Sequence, residues 1–485
     1  MNKKNNFVTN IIKKIMEEKV VILFAVISIL GVIISGTSPA FILSELTGRF
    51  VRNTFIALAL IVPVVAGLGM NFGITVGGMA VQLSIFTALY NGLTGIPALI
   101  AILCMAIPLA MLFGWLLGLL YNKTKGGEMI TGLVFSYLAS GIYQFILLFG
   151  VGGIIDADES TGLIIPGGIG VKNTIDLTGK IKGVIDGIEY GKFFIIVLAV
   201  YIVIGLVSII IRSKANMKDA AATKTFVAKT VFFAIITVAA NLPFVGETFG
   251  VAKIKLVNLL MLYGIIAIVY QLYMFAMNKF VIKEECTIKD CIVKCLVPAI
   301  ALVLSFIPVV QDLCMLTQVP IVTFSWIIGV GMFNNWILST KLGQDMRTVG
   351  QNRAVANSSG INVDKIRTIA TMISTVLAAI GQLIYLQGIG TFGTYTAHGN
   401  IGTFNVAALL VGGASIVSAK NSHGVVGIII FHALFIVAPM AAGVLFGNAL
   451  IGEHFRVFLC YAVIALSLAI HAWEKGPKKS KKAKA

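Results

Sequence analysis

Apolar runs of about 20 residues, each long enough to span a bilayer as a helix, recur along nearly the whole chain with polar stretches between them. They fall near residues 20–36, 54–70, 72–90, 97–121, 129–150, 193–211, 224–242, 256–278, 295–310, 320–340, 367–389, 404–419, 424–446 and 455–473. The expected fold is therefore an all-α polytopic membrane protein of about fourteen segments. Composition agrees. The 485 residues are 58% hydrophobic and 12% charged, with a mean hydropathy of +0.97, whereas soluble domains carry about a quarter charged residues.

The formal charge of +17 does not call for nucleic acid, because its distribution follows topology. With the N-terminus inside, the inner loops and tails carry about 27 of the 37 Lys and Arg, as the positive-inside rule expects. Lys229 falls inside a segment. Both termini are then cytoplasmic. Ser38–Pro39–Ala40 is a weak small-x-small cleavage pattern, but the long preceding polar region holds Glu17 and Glu18. Val20–Ser35 thus reads as a retained first helix. In residues 1–19, Phe7, Val8, Ile11, Ile12, Ile15 and Met16 recur at helical spacing, as in an amphipathic helix on the inner leaflet. The tail 475–485 is basic and expected to be disordered, attracted at most to anionic lipid. Cys286, Cys291 and Cys295 fall in or beside an inside loop, where thiols stay reduced, and their spacing matches no zinc signature.

The polar island from Thr340 to Arg367 reads TKLGQDMRTVGQNRAVANSSGINVDKIR. Asn352 suits a helix N-cap, Arg353 to Ser358 a helix of one or two turns, and Gly360 the left-handed residue that ends it. A short capped helix near Arg347 and Arg353 suits docking into a cleft on a soluble partner, although an ordinary basic cytoplasmic loop has the same spacing. The island resembles the cytoplasmic loop of ribose- and nucleoside-type ABC importer permeases, roughly T-x-x-G-R-x-x-x-A-V-G-x-N-x-x-A-A-x-x-S-G-I. Thr340, Gly343, Val349, Gly350, Asn352, Ala356, Ser359, Gly360 and Ile361 fall on that pattern. Gln344 replaces its Arg, and Thr348 and Val355 replace Ala. The resemblance implies a coupling helix that docks on an ATPase, with Arg347, Gly350, Asn352, Arg353, Asn357 and Gly360 as coupling residues.

Two further stretches resemble the same family. Residues 66–92, AGLGMNFGITVGGMAVQLSIFTALYNG, are similar to its glycine-rich broken segment. Gly73–Ile74–Thr75–Val76–Gly77 resembles the D-L-S-V-G form with Gly73 in place of the acidic residue, and Asn71–Phe72–Gly73 resembles the N-I-G form without the acidic residue and Gln that follow it. Each of Gly67, Gly69, Gly73, Gly77 and Gly78 weakens a helix by about 1 kcal/mol relative to Ala. They permit either an interruption facing a pathway or close helix packing. Asn405–Ser415, NVAALLVGGAS, and Gly424–Gly427 are similar to the family's I-A-A-V-V-I-G-G-T-S and G-x-v-x-G stretches. The resemblance covers roughly residues 50–165 and 315–475 and leaves 193–310 as an insert of about four membrane helices.

The expected organisation is an amphipathic N-terminal helix (1–19), a first helical block (20–150), an outer loop (151–192), the insert (193–310), a second block (311–474) holding the coupling loop (341–366), and the tail (475–485). Glu128 opens a helix, where the macrodipole favours an anion. Asp156, Asp158, Glu159, Asp176, Asp186 and Glu189 lie in the outer loop without EF-hand spacing and read as solvated.

All twenty Asp and Glu fall in loops or near segment ends, which argues against an ion-coupled carrier with intramembrane carboxylates. No P-loop pattern occurs, so ATP is not bound that way. A permease driven by a separate ATPase satisfies both observations; a secondary transporter using backbone-coordinated Na⁺ is the alternative. An enzyme is not expected. His432 is the one histidine deep in a segment, lacks a carboxylate companion, and is expected to bond a neighbouring helix.

The resemblance implies a type II ABC importer permease in a bacterial cell (inner) membrane. It would hold no catalytic, metal or cofactor site of its own, with ATP and Mg on partner ATPase subunits. The other implied partners are a second permease copy or paralogue and an extracytoplasmic solute-binding protein. Asn71, Thr75, Gly77, Gln82 and Asn405 are the expected pathway residues, joined by Asn334 and Gln382 as uncharged polar groups suited to a sugar, nucleoside or vitamin.

Overall fold

The computed structural model describes residues 19–155, 158–167, 169–214, 220–249, 253–282 and 288–474. The expected N-terminal amphipathic helix before residue 19, the basic tail 475–485, Asp156 and Cys286 lie outside the described residues.

The helices are, in order, α1 (Lys19–Ser35), α2 (Pro39–Ala59), α3 (Ile61–Val65), α4 (Thr75–Tyr90), α5 (Gly95–Lys123), α6 (Glu128–Phe145), α7 (Tyr190–Lys214), α8 (Ala220–Ala240), α9 (Pro243–Phe249), α10 (Leu256–Met277), α11 (Ile288–Ser305), α12 (Pro308–Cys314), α13 (Ile321–Ser339), α14 (Lys341–Gln351), α15 (Arg353–Ser358), α16 (Val363–Ile389), α17 (Gly399–Val411), α18 (Asn421–Phe446) and α19 (Ala449–Glu474). Among the described residues, 11 helical spans are long and apolar enough to cross a membrane, and α11 with α12, bent by 83°, makes a twelfth. Pro308 at the start of α12 marks the bend. With the shorter apolar helices α1 and Ile401–Val411, they match the expected segments in order. The protein is an all-α polytopic membrane protein.

The largest boundary shift is in the second span. The second span begins at Pro39, not near residue 54, and runs to Val65. Glu45, Arg49 and Arg52 interrupt the apolar run yet sit within α2. The Arg49 guanidinium lies 5.5 Å from the Phe435 ring centroid, a cation–π contact that accommodates a charge in an apolar setting.

The described residues form two compact units, one of 19–37, 49–184 and 326–474, the other of 38–48 and 185–325. In the first unit α4 is buried almost all round. It packs on α5 and α16, and such all-round apolarity suits a central helix. A second core joins Val20 and Phe24 of α1 to Ala407, Ala408 and Val411 of α17 and to Phe431 and Phe435 of α18. Buried amides and hydroxyls tie helices together: Asn334 donates to the Leu58 carbonyl at 2.9 Å, and Ser374 to that of Ala59 at 2.9 Å. Gly412 and Gly427 bring α17 and α18 into backbone contact, so a Cβ on Gly427 would collide with the Ala408 carbonyl. Strands β1 (Thr174–Asp176) and, later in the chain, Thr391–Gly393 pair antiparallel and fasten the outer loop to the end of α16.

The second unit holds α7 to α12 and a short antiparallel pair, Lys253–Lys255 with Gln318–Pro320. In the α7 span, Tyr190 and Gly191 are buried at its start, while its most apolar 18-residue stretch has no buried residue. Here Asp186, expected to be solvated, is buried and accepts a hydrogen bond from the Thr323 hydroxyl. A carboxylate loses solvation on burial and requires such a donor.

Candidate functional site

The irregular stretch between α3 and α4 forms first from its glycines. Gly67 (φ 73) and Gly69 (φ 71) adopt left-handed backbone, which ends α3. A 3₁₀ turn, Phe72–Ile74, leads into α4. Gly350 of α14 lies against this break: a Cβ at Gly67 would stand 2.7 Å from the Gly350 Cα. A side chain on either glycine would separate the two segments.

Beyond Gly350 the expected cap is present. Asn352 accepts from the backbone N–H groups of Ala354 (2.9 Å) and Val355 (3.2 Å), α15 covers Arg353–Ser358, and Gly360 is left-handed at φ 77. The helix α14 is amphipathic, burying Gly343, Met346 and Val349 and exposing Gln344 and Arg347. On α15 only Ala356 is buried, while Asn357 is exposed and Val355 is 51% exposed.

Arg353 does not share that outward face. Its guanidinium donates to Glu128 Oε1 at 2.6 Å and to the Gly67 carbonyl at 3.1 Å. Arg367, fully buried, donates to the same carboxylate oxygen at 2.5 Å and to the Tyr121 carbonyl at 3.2 Å. The Gly126 N–H adds a bond to Oε2 at 2.9 Å. Glu128 is therefore more than a helix-terminal anion: it joins α6, α15 and α16. Around it, Tyr121 donates to Asn71 Oδ1 at 2.7 Å, and Asn122 donates to the Asp364 carbonyl and the Thr368 hydroxyl at 2.8 and 3.0 Å. The loop, the broken segment and the α5–α6 turn thus form one hydrogen-bonded assembly.

The expected pathway residues separate. Asn71 is held by Tyr121. Thr75 donates to the Ser136 hydroxyl at 2.8 Å. Gly77 packs closely on α16, and a Cβ there would overlap the Thr375 carbonyl and approach Ala378 Cβ at 3.1 Å. Gln82 Oε1 lies 3.1 Å from His398 Nδ1. Asn405 faces a cavity, together with Asn53, Gln382, Tyr385 and Phe404. That cavity is about 10 Å³, room for about one water molecule. Asn405 Oδ1 and Gln382 Oε1 are buried there without partners.

Sequence reasoning misses His398, which it leaves in a loop. His398 is 3% exposed, with Nε2 2.8 Å from the Ser140 hydroxyl and the Tyr143 ring at 5.1 Å. Burial pushes its pKa down to about 4. The neutral ring donates from Nδ1 to Gln82 and accepts from Ser140. It also misses Asn53 and Tyr385, for which no motif exists. His432 departs from expectation as well: among the described residues neither ring nitrogen has a hydrogen-bond partner, and the ring rests edge-on against Phe431 at 5.3 Å.

No family model and no solved structure matches the chain. Over 142 residues, 29% of the chain, it is 31% identical to the nucleoside ABC transporter permease protein NupC of Lactococcus lactis subsp. cremoris (strain MG1363). The match spans 44% of that relative's length. The chain is a multi-pass membrane protein, and part of it is similar to this nucleoside ABC transporter permease.

Proposed function

We propose that the chain is the membrane subunit of an ATP-driven importer for a small, polar, uncharged solute of the nucleoside or sugar class. The observation that carries the reading is the Glu128 assembly. It fixes an exposed pair of short helices, α14 and α15, to the broken segment and to the first turns of α6 and α16. An ATPase seated on Arg347, Val355 and Asn357 would act on all of these elements together. Gly350, Asn352 and Gly360 shape the surface, and Arg353 anchors it.

On this reading ATP and Mg reside in the ATPase partner, a second permease copy completes the pore, and a solute-binding protein delivers from the outer side. Both termini face the cytoplasm, as does the α14–α15 surface. Asn53, Gln382, Asn405 and Tyr385 offer amide, hydroxyl and ring contacts to the solute once the constricted cavity opens, and unpaired amide oxygens suit a hydroxyl-rich ligand. Related permeases include one named for nucleosides, which makes nucleosides the first substrates to test.

The test is uptake of labelled nucleosides and simple sugars by cells expressing the chain with its ATPase. Val355→Glu and Asn357→Glu should leave membrane expression unchanged while abolishing both uptake and ATPase co-purification. Normal co-purification and uptake in both variants would sink the docking assignment. The ion-coupled alternative predicts uptake that persists without an ATPase.

A further inference from the structure

The second unit contains a cavity of about 350 Å³, within the range of small-molecule pockets, about 300–1,000 Å³. It opens among α8, α10 and α11, and its lining includes Lys229, Tyr270, Gln271, Phe275, Asn278 and Lys294. Lys229 belongs to the apolar span Ala221–Ala240 and is half-buried. Charged groups within spans are costly and mark a pathway or a bound partner. Among the described residues, no carboxylate forms an ion pair with Lys229 or Lys294, and the nearest acid in sequence, Asp290, is exposed. Lys229, half-buried, and Lys294, exposed, thus line one cavity, and no countercharge to either is seen among the described residues.

The rest of the lining matches one kind of anion. Gln271 and Asn278 carry amide donors and Tyr270 a hydroxyl, while the Phe275 ring and the Tyr270 ring face are apolar. Lysine is a common phosphate partner acting as a point charge. The cavity sits where α10 ends and α11 begins, the end that the positive-inside pattern assigns to the cytoplasm. Basic pockets between membrane helices on that side hold anionic lipid headgroups. On α8 and α11, close in sequence to the lining residues, Val227, Val231, Ile292 and Val293 are exposed apolar side chains that acyl chains would cover.

We infer that this cavity binds a phosphate-bearing anion, supplied as the headgroup of an anionic phospholipid whose phosphate sits between Lys229 and Lys294. The site is independent of the transport reading.

The test uses the purified full chain in nanodiscs of phosphatidylcholine, with and without phosphatidylglycerol, and in detergent with glycerol phosphate. Unfolding temperature and lipid retention in native mass spectrometry are the readouts. Phosphatidylglycerol should raise the unfolding temperature and be retained. Lys229→Gln with Lys294→Gln should weaken retention about 25-fold, roughly fivefold per lysine, and the paired Lys→Arg variant should restore it. Equal protection by glycerol phosphate would assign the same phosphate site to a soluble ligand. If wild type responds to neither phosphate source, or if the Gln pair retains lipid undiminished, the inference is overturned; the wild-type comparison holds even where the Gln pair fails to fold.

Discussion

Arg367, a fully buried guanidinium of α16, donates at 2.5 Å to Glu128 at the first position of α6. The same carboxylate receives Arg353 from α15. One negative charge thus holds two positive ones at the junction of three helices. Losing the acid strands a charge that is fully buried.

Glu128→Gln should therefore destabilise the protein by about 3–5 kcal/mol, the usual cost of breaking a buried pair from one side. Adding Arg367→Met to it should recover a large part of that loss, because the stranded charge is gone. Thermal unfolding of the single and double variants in one detergent checks both statements. Wild-type stability for Glu128→Gln would mean that the pair holds nothing together.

Gly77→Leu should lower the amount of folded protein rather than alter solute preference. The added side chain meets the α16 backbone at Thr375, and overpacking of this kind costs about 1–3 kcal/mol or more. Size-exclusion yield and uptake per folded molecule separate the two effects. Normal yield with lost uptake would restore Gly77 to the pathway.

Asn405→Leu replaces a buried amide whose oxygen has no partner. Removing the unpaired oxygen relieves a cost of about 1–3 kcal/mol, while the lost Nδ2 bond to the Ile401 carbonyl at 3.1 Å costs about 0.5–1.5 kcal/mol, so stability should hold. On the proposed function, KM for the transported solute should rise about tenfold, equivalent to one lost hydrogen bond. An unchanged KM places solute recognition elsewhere.

His398 gives a pH signature. Its folded pKa, about 4, lies below the value of about 6.5 expected when unfolded. Between these values the unfolded chain binds the extra proton, so stability falls as pH drops. The slope should approach 1.4 kcal/mol per pH unit, about the value for one proton, and the contribution is fully present above pH about 6.5. His398→Gln should flatten this slope in chemical unfolding between pH 7 and pH 4. An unaltered slope would show that other groups carry it.

Much of the fold is legible from the sequence because each apolar run stands alone as evidence of a span. The loop geometry is legible too: Asn352 and Gly360 act locally, within a few residues of what they cap. What escapes is contact across distance. Glu128 looks like a terminal anion because its partners lie 225 and 239 residues away. His398 looks like a loop histidine because its partner Gln82 is 316 residues away. The early start of α2 is hidden for a related reason: Arg49 reads as a loop charge until the Phe435 ring that faces it is known. The amide-lined cavity combines α2, α16 and α17, and no motif in any one of them announces it.

The meeting of Gly67 with Gly350 has a mechanical consequence. Most contacts between segments run through side chains, which absorb small displacements by changing rotamer. Here main chain rests on main chain with no side chain between, so only backbone torsions could absorb a displacement. A push on Gly350 would then reach the turn that positions Asn71 through backbone contact alone.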